Sequence, residues 1–224
     1  MQNNVTTSFN PLWGWYPIAG AISMLIGGGI WGATGTDLWA SLENITISEY
    51  LKAVENLQTV ACVQTTFWIL GLILIGVGGR LMSSLCKNKI GAAKTALTFM
   101  QTGVAVGIVA FITMLSLITK ISPDSLQNTV LIATTIGWIG ASLDNIATVL
   151  VISAGPFLLS LAGSGEWVPN WLRYWGFFAG LIGVLAVAGF YFSPLSMMVF
   201  LLLPFGMGWL IAAGIVILKI KPDS

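Results

Sequence analysis

The sequence predicts an all-α, polytopic membrane protein: six transmembrane helices in one bundle, with both termini on the cytoplasmic side. Three observations carry that prediction. Only 8% of the 224 residues are charged while 56% are hydrophobic, with 26 glycines besides. A soluble domain carries about 25% charge, and nine basic and eight acidic side chains are too few to clothe a core this large in water. Apolar residues gather in six segments near or above the about 20 residues that a crossing requires: 17–35, 60–82, 95–119, 129–161, 171–192 and 195–218. Finally, Lys and Arg crowd one side of the resulting topology. No remaining stretch is long enough for a second domain, so residues 1–224 read as a single membrane domain. A β-barrel would need strands of alternating polarity, whereas stretches such as Trp68–Val77 are apolar throughout.

Each span has its own markers. Span one is entered through Trp13, Trp15 and Tyr16, rings suited to headgroup depth. Met1–Trp15 contains no Lys or Arg, so it lacks the positive region of a secretory signal, and span one is expected to be retained. Gly28-x-x-x-Gly32 in span one and Gly176-x-x-x-Gly180 with Gly183 in span five place small residues on one helical face, where backbones can approach closely. Between spans one and two, Thr46-Ile-Ser-Glu49 fits a capping box and predicts a helix running into span two. Cys62 and Cys86 lie along one helix about 36 Å apart, far beyond disulfide reach. The fourth segment is about 50 Å long if straight, against about 30 Å of hydrocarbon. It must tilt, bend at Gly155-Pro156 or emerge into water; Pro204 is the matching kink candidate in span six.

Orientation follows from the basic residues. Cytoplasmic termini place Arg80, Lys87, Lys89, Lys94, Arg173, Lys219 and Lys221 inside and leave Lys52 and Lys120 outside. The segment after span one carries Asp37, Glu43, Glu49 and Glu55 and is expected outside.

Asp144 stands apart because it lies near the middle of the fourth segment. An aspartate at a helix centre costs about 3 kcal/mol in lipid, so it is expected to face the bundle interior. Thr134, Trp138, Asn145 and Thr148 share its polar strip at 100° per residue. Gln64, Thr65 and Thr66 of span two, with Thr98, Gln101 and Thr102 of span three, complete the expected polar centre. Two roles fit the carboxyl: binding a cation, a proton or a cationic substrate group, or donating an interhelical hydrogen bond as a neutral acid.

Other chemistries are excluded by what the sequence lacks. There is no histidine for zinc, haem or general-base chemistry. No phosphate-binding Gly-rich loop, Cys-x-x-Cys or His-Glu-x-x-His occurs. An aspartyl enzyme needs a second carboxylate beside Asp144, and no other acid falls in a span. No enzyme activity, metal or cofactor is expected, and a net charge of +1 without a basic tract argues against nucleic acid as a partner.

Val168-Pro169-Asn170-Trp171-Leu172, then Trp175-Gly176 and a Gly-rich apolar span, with Leu203-Pro204 and Gly208-Trp209-Leu210-Ile211 further on, resemble a family of uncharacterised bacterial six-span integral membrane proteins, a domain of unknown function. The resemblance spans mainly residues 165–215 and implies a multi-pass protein of the bacterial inner membrane; it assigns no activity and does not include Asp144.

Two functional classes follow. One is a structural, assembly or accessory subunit that packs through Gly-rich helix faces against other membrane subunits or itself, with the lipid bilayer as its surroundings. The alternative is a small transporter, or an ion- or proton-coupled permeation protein, with a central site around Asp144. The first predicts a dry interior and a Gly-lined lateral surface, the second a polar cavity at Asp144. A reporter fused after Ser224 is expected to be active only in its cytoplasmic form; activity confined to the outside would reverse the topology.

Overall fold

A computed structural model describes residues 10–34, 57–120, 127–189, 192–195 and 198–220. Helix α1 (Trp15–Thr34) is preceded by a 3-10 turn capped by Asn10, whose Oδ1 accepts from the Leu12 amide. It is followed by α2 (Gln58–Ser84), α3 (Ile90–Lys120) and α4 (Gln127–Val149). A π-helical turn, Leu150–Ala154, joins α4 to α5 (Gly155–Ala162), and the two helices form the fourth span. The fifth span is α6 (Asn170–Gly189); the sixth is α7 (Met198–Leu202), a second π-helical turn (Leu203–Met207) and α8 (Gly208–Leu218). Among the described residues, six helical segments are long and apolar enough to cross a membrane. The predicted helical fold class is therefore the observed one. The Thr46–Glu49 capping box lies outside the described residues.

Each span packs antiparallel on its chain neighbours, and the sixth returns to the first, so the bundle is a closed ring. Every seam is built around a glycine. On α1 and α2, Gly20 and Gly71 face each other; a Cβ at either would lie 2.9 Å from the other's carbonyl oxygen. Gly79 rests on Met100 of α3, and Gly103 rests on Leu150 and Val151 at the first π-helical turn. Gly176 and Gly183 of α6 lie against Ser160 and Ser153, and Gly180 lies against Phe157. Gly14 and Gly214 meet where the chain's first and last helices close the ring.

Close approach at those glycines brings side-chain donors onto neighbouring backbones. Ser23 Oγ donates to the Phe67 carbonyl at 2.7 Å, Ser83 Oγ to Ala93 at 2.9 Å, Ser153 Oγ to Ala179 at 3.0 Å and Trp209 Nε1 to Leu172 at 3.0 Å. Gln101 Nε2 reaches the Gly76 carbonyl at 2.8 Å. Interhelical hydrogen bonds in membranes average about 0.6 kcal/mol each, so the set matters more than any member.

Gly28 and Gly32, the small-residue face of span one, make no close packing contact among the described residues. No atom of the described residues lies within 4 Å of a Cβ placed on either, or on Gly29. Gly20 and Gly27 take the role instead, because α1 turns that face toward α2 and Gly27 admits the Trp68 ring. The bend candidates in spans four and six take the form of π-helical turns, one directly before Gly155-Pro156 and one around Pro204. The turns meet across the bundle, where Gly206 sits on the Ile152 carbonyl.

The seams make a direct comparison possible. Gly71→Val is expected to lower stability in detergent by about 1–3 kcal/mol, through overpacking of the α1–α2 seam. Gly29→Ala, whose methyl would meet none of the described residues, should be neutral or raise stability by up to about 1 kcal/mol through helix propensity. Equal unfolding curves for the two variants would contradict the seam.

Candidate functional site

Two places bear on function: the bundle centre at Asp144, and the end of the bundle where the basic residues collect. Asp144 is half-buried and borders a small central cavity of about 20 Å³. Five spans contribute to that cavity, through Met24, Leu72, Phe111, Asp144 with Thr148, and Leu203 with Met207. Its volume suits one water or little more. The two π-helical turns supply Val151, Ile152, Leu203 and Met207 beside it, so the irregular backbone of both spans converges on the carboxyl's neighbourhood.

The structure assembles only part of the expected polar centre around this space. Thr148 lines it with Asp144; Asn145 and Thr134 are half-buried on the same helix, outside the cavity wall. Trp138 is 52% exposed and faces outward, contrary to the inward polar strip read from the sequence. Gln64 is fully buried on α2 but does not line the cavity. Gln101, Thr98 and Thr102 are on the exposed side of α3, and Gln101 binds the α2 backbone rather than the centre.

The reason is local. A threonine or serine on a helix can satisfy its hydroxyl on the carbonyl four residues back, and then sits in lipid at little cost. Thr66, Thr95, Thr98, Thr113, Ser116, Thr119 and Ser142 all do this, with donor–acceptor distances of 2.7–3.0 Å. Helical spacing counts such residues as polar when the folded helix has already neutralised them.

At the other place, Glu166 ties two connections together. Its carboxylate accepts from the Lys87 amide at 2.6 Å and the Asn88 amide at 2.9 Å, the free backbone donors just before α3. Gly165, at φ +83°, turns the chain so that Glu166 faces them. Lys89 Nζ donates to the Leu161 carbonyl at 3.0 Å, a cation on the last turn of α5. Beneath, Trp167 Nε1 donates to Cys86 Sγ at 3.3 Å and its ring meets Trp209 edge-on. Burial pushes the Cys86 thiol up, against the effect of that hydrogen bond. Cys62 and Cys86 are both free. The sequence signal for this clamp was a lone acid, Glu166, among Lys87, Lys89 and Arg173.

Among the described residues no cluster of acids and cysteines is arranged to hold a metal ion. Compared with protein-family profiles, curated proteins and solved structures, the chain matches none.

Glu166 predicts an acid-sensitive element of stability. Hydrogen bonds from the Lys87 amide first, then Asn88, hold its carboxyl below the ordinary value of 4.5. The clamp therefore contributes fully above that ordinary value and is lost as pH falls through the depressed one. Glu166→Gln is expected to melt lower than the parent at neutral pH and to lose less on acidification to about pH 3. Parallel pH–stability curves for the two proteins would show that the carboxylate contributes nothing.

Proposed function

We propose that the chain is a structural or assembly subunit of a bacterial inner-membrane complex, joined to its neighbour through the Gly28–Gly32 face of α1. The observation that carries this reading is the division of the glycines of α1. Gly20 and Gly27 are used within the chain, whereas Gly28, Gly29 and Gly32 meet none of the described residues. Lipid offers helices no hydrophobic drive to associate, so small-residue faces are where they approach closely. The occupant is a further membrane-spanning helix, and a second copy of this chain is the simplest source. The small volume beside Asp144 supports the same reading, since it leaves no room for an organic solute.

One observation favours a second reading: Asp144 and Thr148 do border an internal space at the centre of the ring. A proton or a small cation is the cargo that space would admit.

Light scattering of the gently solubilised protein separates the two. The parent is expected to run as a dimer or larger complex, and Gly28→Leu combined with Gly32→Leu as a monomer of unchanged thermal stability. Asp144→Asn should leave the complex intact. A monomeric parent would defeat the assembly reading, and proton flux in reconstituted vesicles that Asp144→Asn abolishes would establish the second one.

A further inference from the structure

An apolar groove of about 500 Å³ runs between the fourth span and α6. Val149 and Phe157 form one wall; Phe177, Leu181, Val184 and Val187 form the other. Gly180 and Gly183 line its floor, where they bring α6 close against Phe157 and Ser153 of the fourth span. The groove opens toward lipid: Val184 is 68% exposed, and Leu181 and Val187 are exposed as well. This surface is distinct from the α1 face of the assembly reading and stands without it.

Three features say what covers it. The first is length. Phe177 to Val187 is ten residues of helix, about 15 Å, or half of the about 30 Å hydrocarbon core. Counted from Arg173, its far end at Val187 is fourteen residues away, about 21 Å, so an acyl chain laid along it from a headgroup at Arg173 reaches past the bilayer midplane.

The second is the group at its mouth. Arg173 lies one turn before Phe177, with its guanidinium carbon 5.3 Å from the Phe177 ring centroid and 5.9 Å from that of Tyr174. Nη1 donates to Ser164 Oγ at 3.1 Å, while the buried Nε–H has no acceptor among the described residues. Exposed Trp171 and Tyr174 flank it, rings that sit at headgroup depth.

The third is charge. Arg80, Lys87, Lys89, Lys94 and Lys219 occupy the same end of the bundle, where the carboxylate of Glu166 is already engaged by backbone amides.

We propose that this groove binds an anionic phospholipid, with one acyl chain along Phe177–Val187 and the phosphate against Arg173. Basic pockets between transmembrane helices at the membrane surface recognise anionic headgroups in this way. The apolar wall takes the chain without selecting it, and the guanidinium supplies planar, charge-assisted donors for phosphate oxygens. The surrounding positive potential favours a net negative headgroup over a zwitterionic one.

Native mass spectrometry and thermal unfolding, with phosphatidylglycerol and phosphatidylcholine of identical chains, test it. The parent is expected to retain phosphatidylglycerol over phosphatidylcholine by about fivefold and to melt higher with it. Arg173→Gln should bring that preference close to one. Ser164→Ala removes the arginine's protein partner but keeps its charge, and should retain the preference. Val184→Trp fills the groove from its lipid side without touching a seam, and should lower retention of both lipids. Three results would each overturn the proposal: an unchanged preference in a folded Arg173→Gln, parental lipid retention in Val184→Trp, or equal stabilisation by inorganic phosphate.

Discussion

Helices in hydrocarbon gain nothing by hiding apolar side chains from one another, since lipid tails are just as apolar. What holds them is close contact and hydrogen bonding to the backbone, and this structure depends on having both at the same seams. A glycine brings two backbones together, and a serine, glutamine or tryptophan then reaches across to a carbonyl. Gly183 beside Ser153 shows the coupling: the serine touches the glycine and donates to the Ala179 carbonyl one turn away. Because the last span meets the first through Gly214 and Gly14, no helix of the ring is left with a single neighbour.

A ring of six helices packed this closely has little centre left. The two π-helical turns and side chains from five spans converge on it, and what remains beside Asp144 has the size of about one water. The larger opening is on the outside, where Phe157, Phe177, Leu181, Val184 and Val187 border a hollow between the fourth span and α6.

The basic end adds polar restraint where water can reach. Glu166 holds two amides ahead of α3, Lys89 caps α5, and Trp167 joins the second, fifth and sixth spans through Cys86 and Trp209. Arg173 is bonded to Ser164 on this scaffold, which fixes its guanidinium at the mouth of the outer groove.

The amino-acid sequence by itself determined the helical class, the six spans to within a few residues and the irregularity near Pro156 and Pro204. Those features follow from hydrocarbon thickness and from the missing proline N–H, both of which act locally. The uniqueness of Asp144 was equally legible, because charge within an apolar run needs no structure to be seen. Which faces turn inward was not. Trp138 and Gln101 share helical spacing with buried groups yet lie on exposed sides, and Gly28 and Gly32 carry the small-residue pattern without a partner among the described residues. Periodicity gives a helix a striped surface but no rotation about its axis. That rotation was decided only when all six helices closed against one another, each seam choosing the glycine that let two backbones meet.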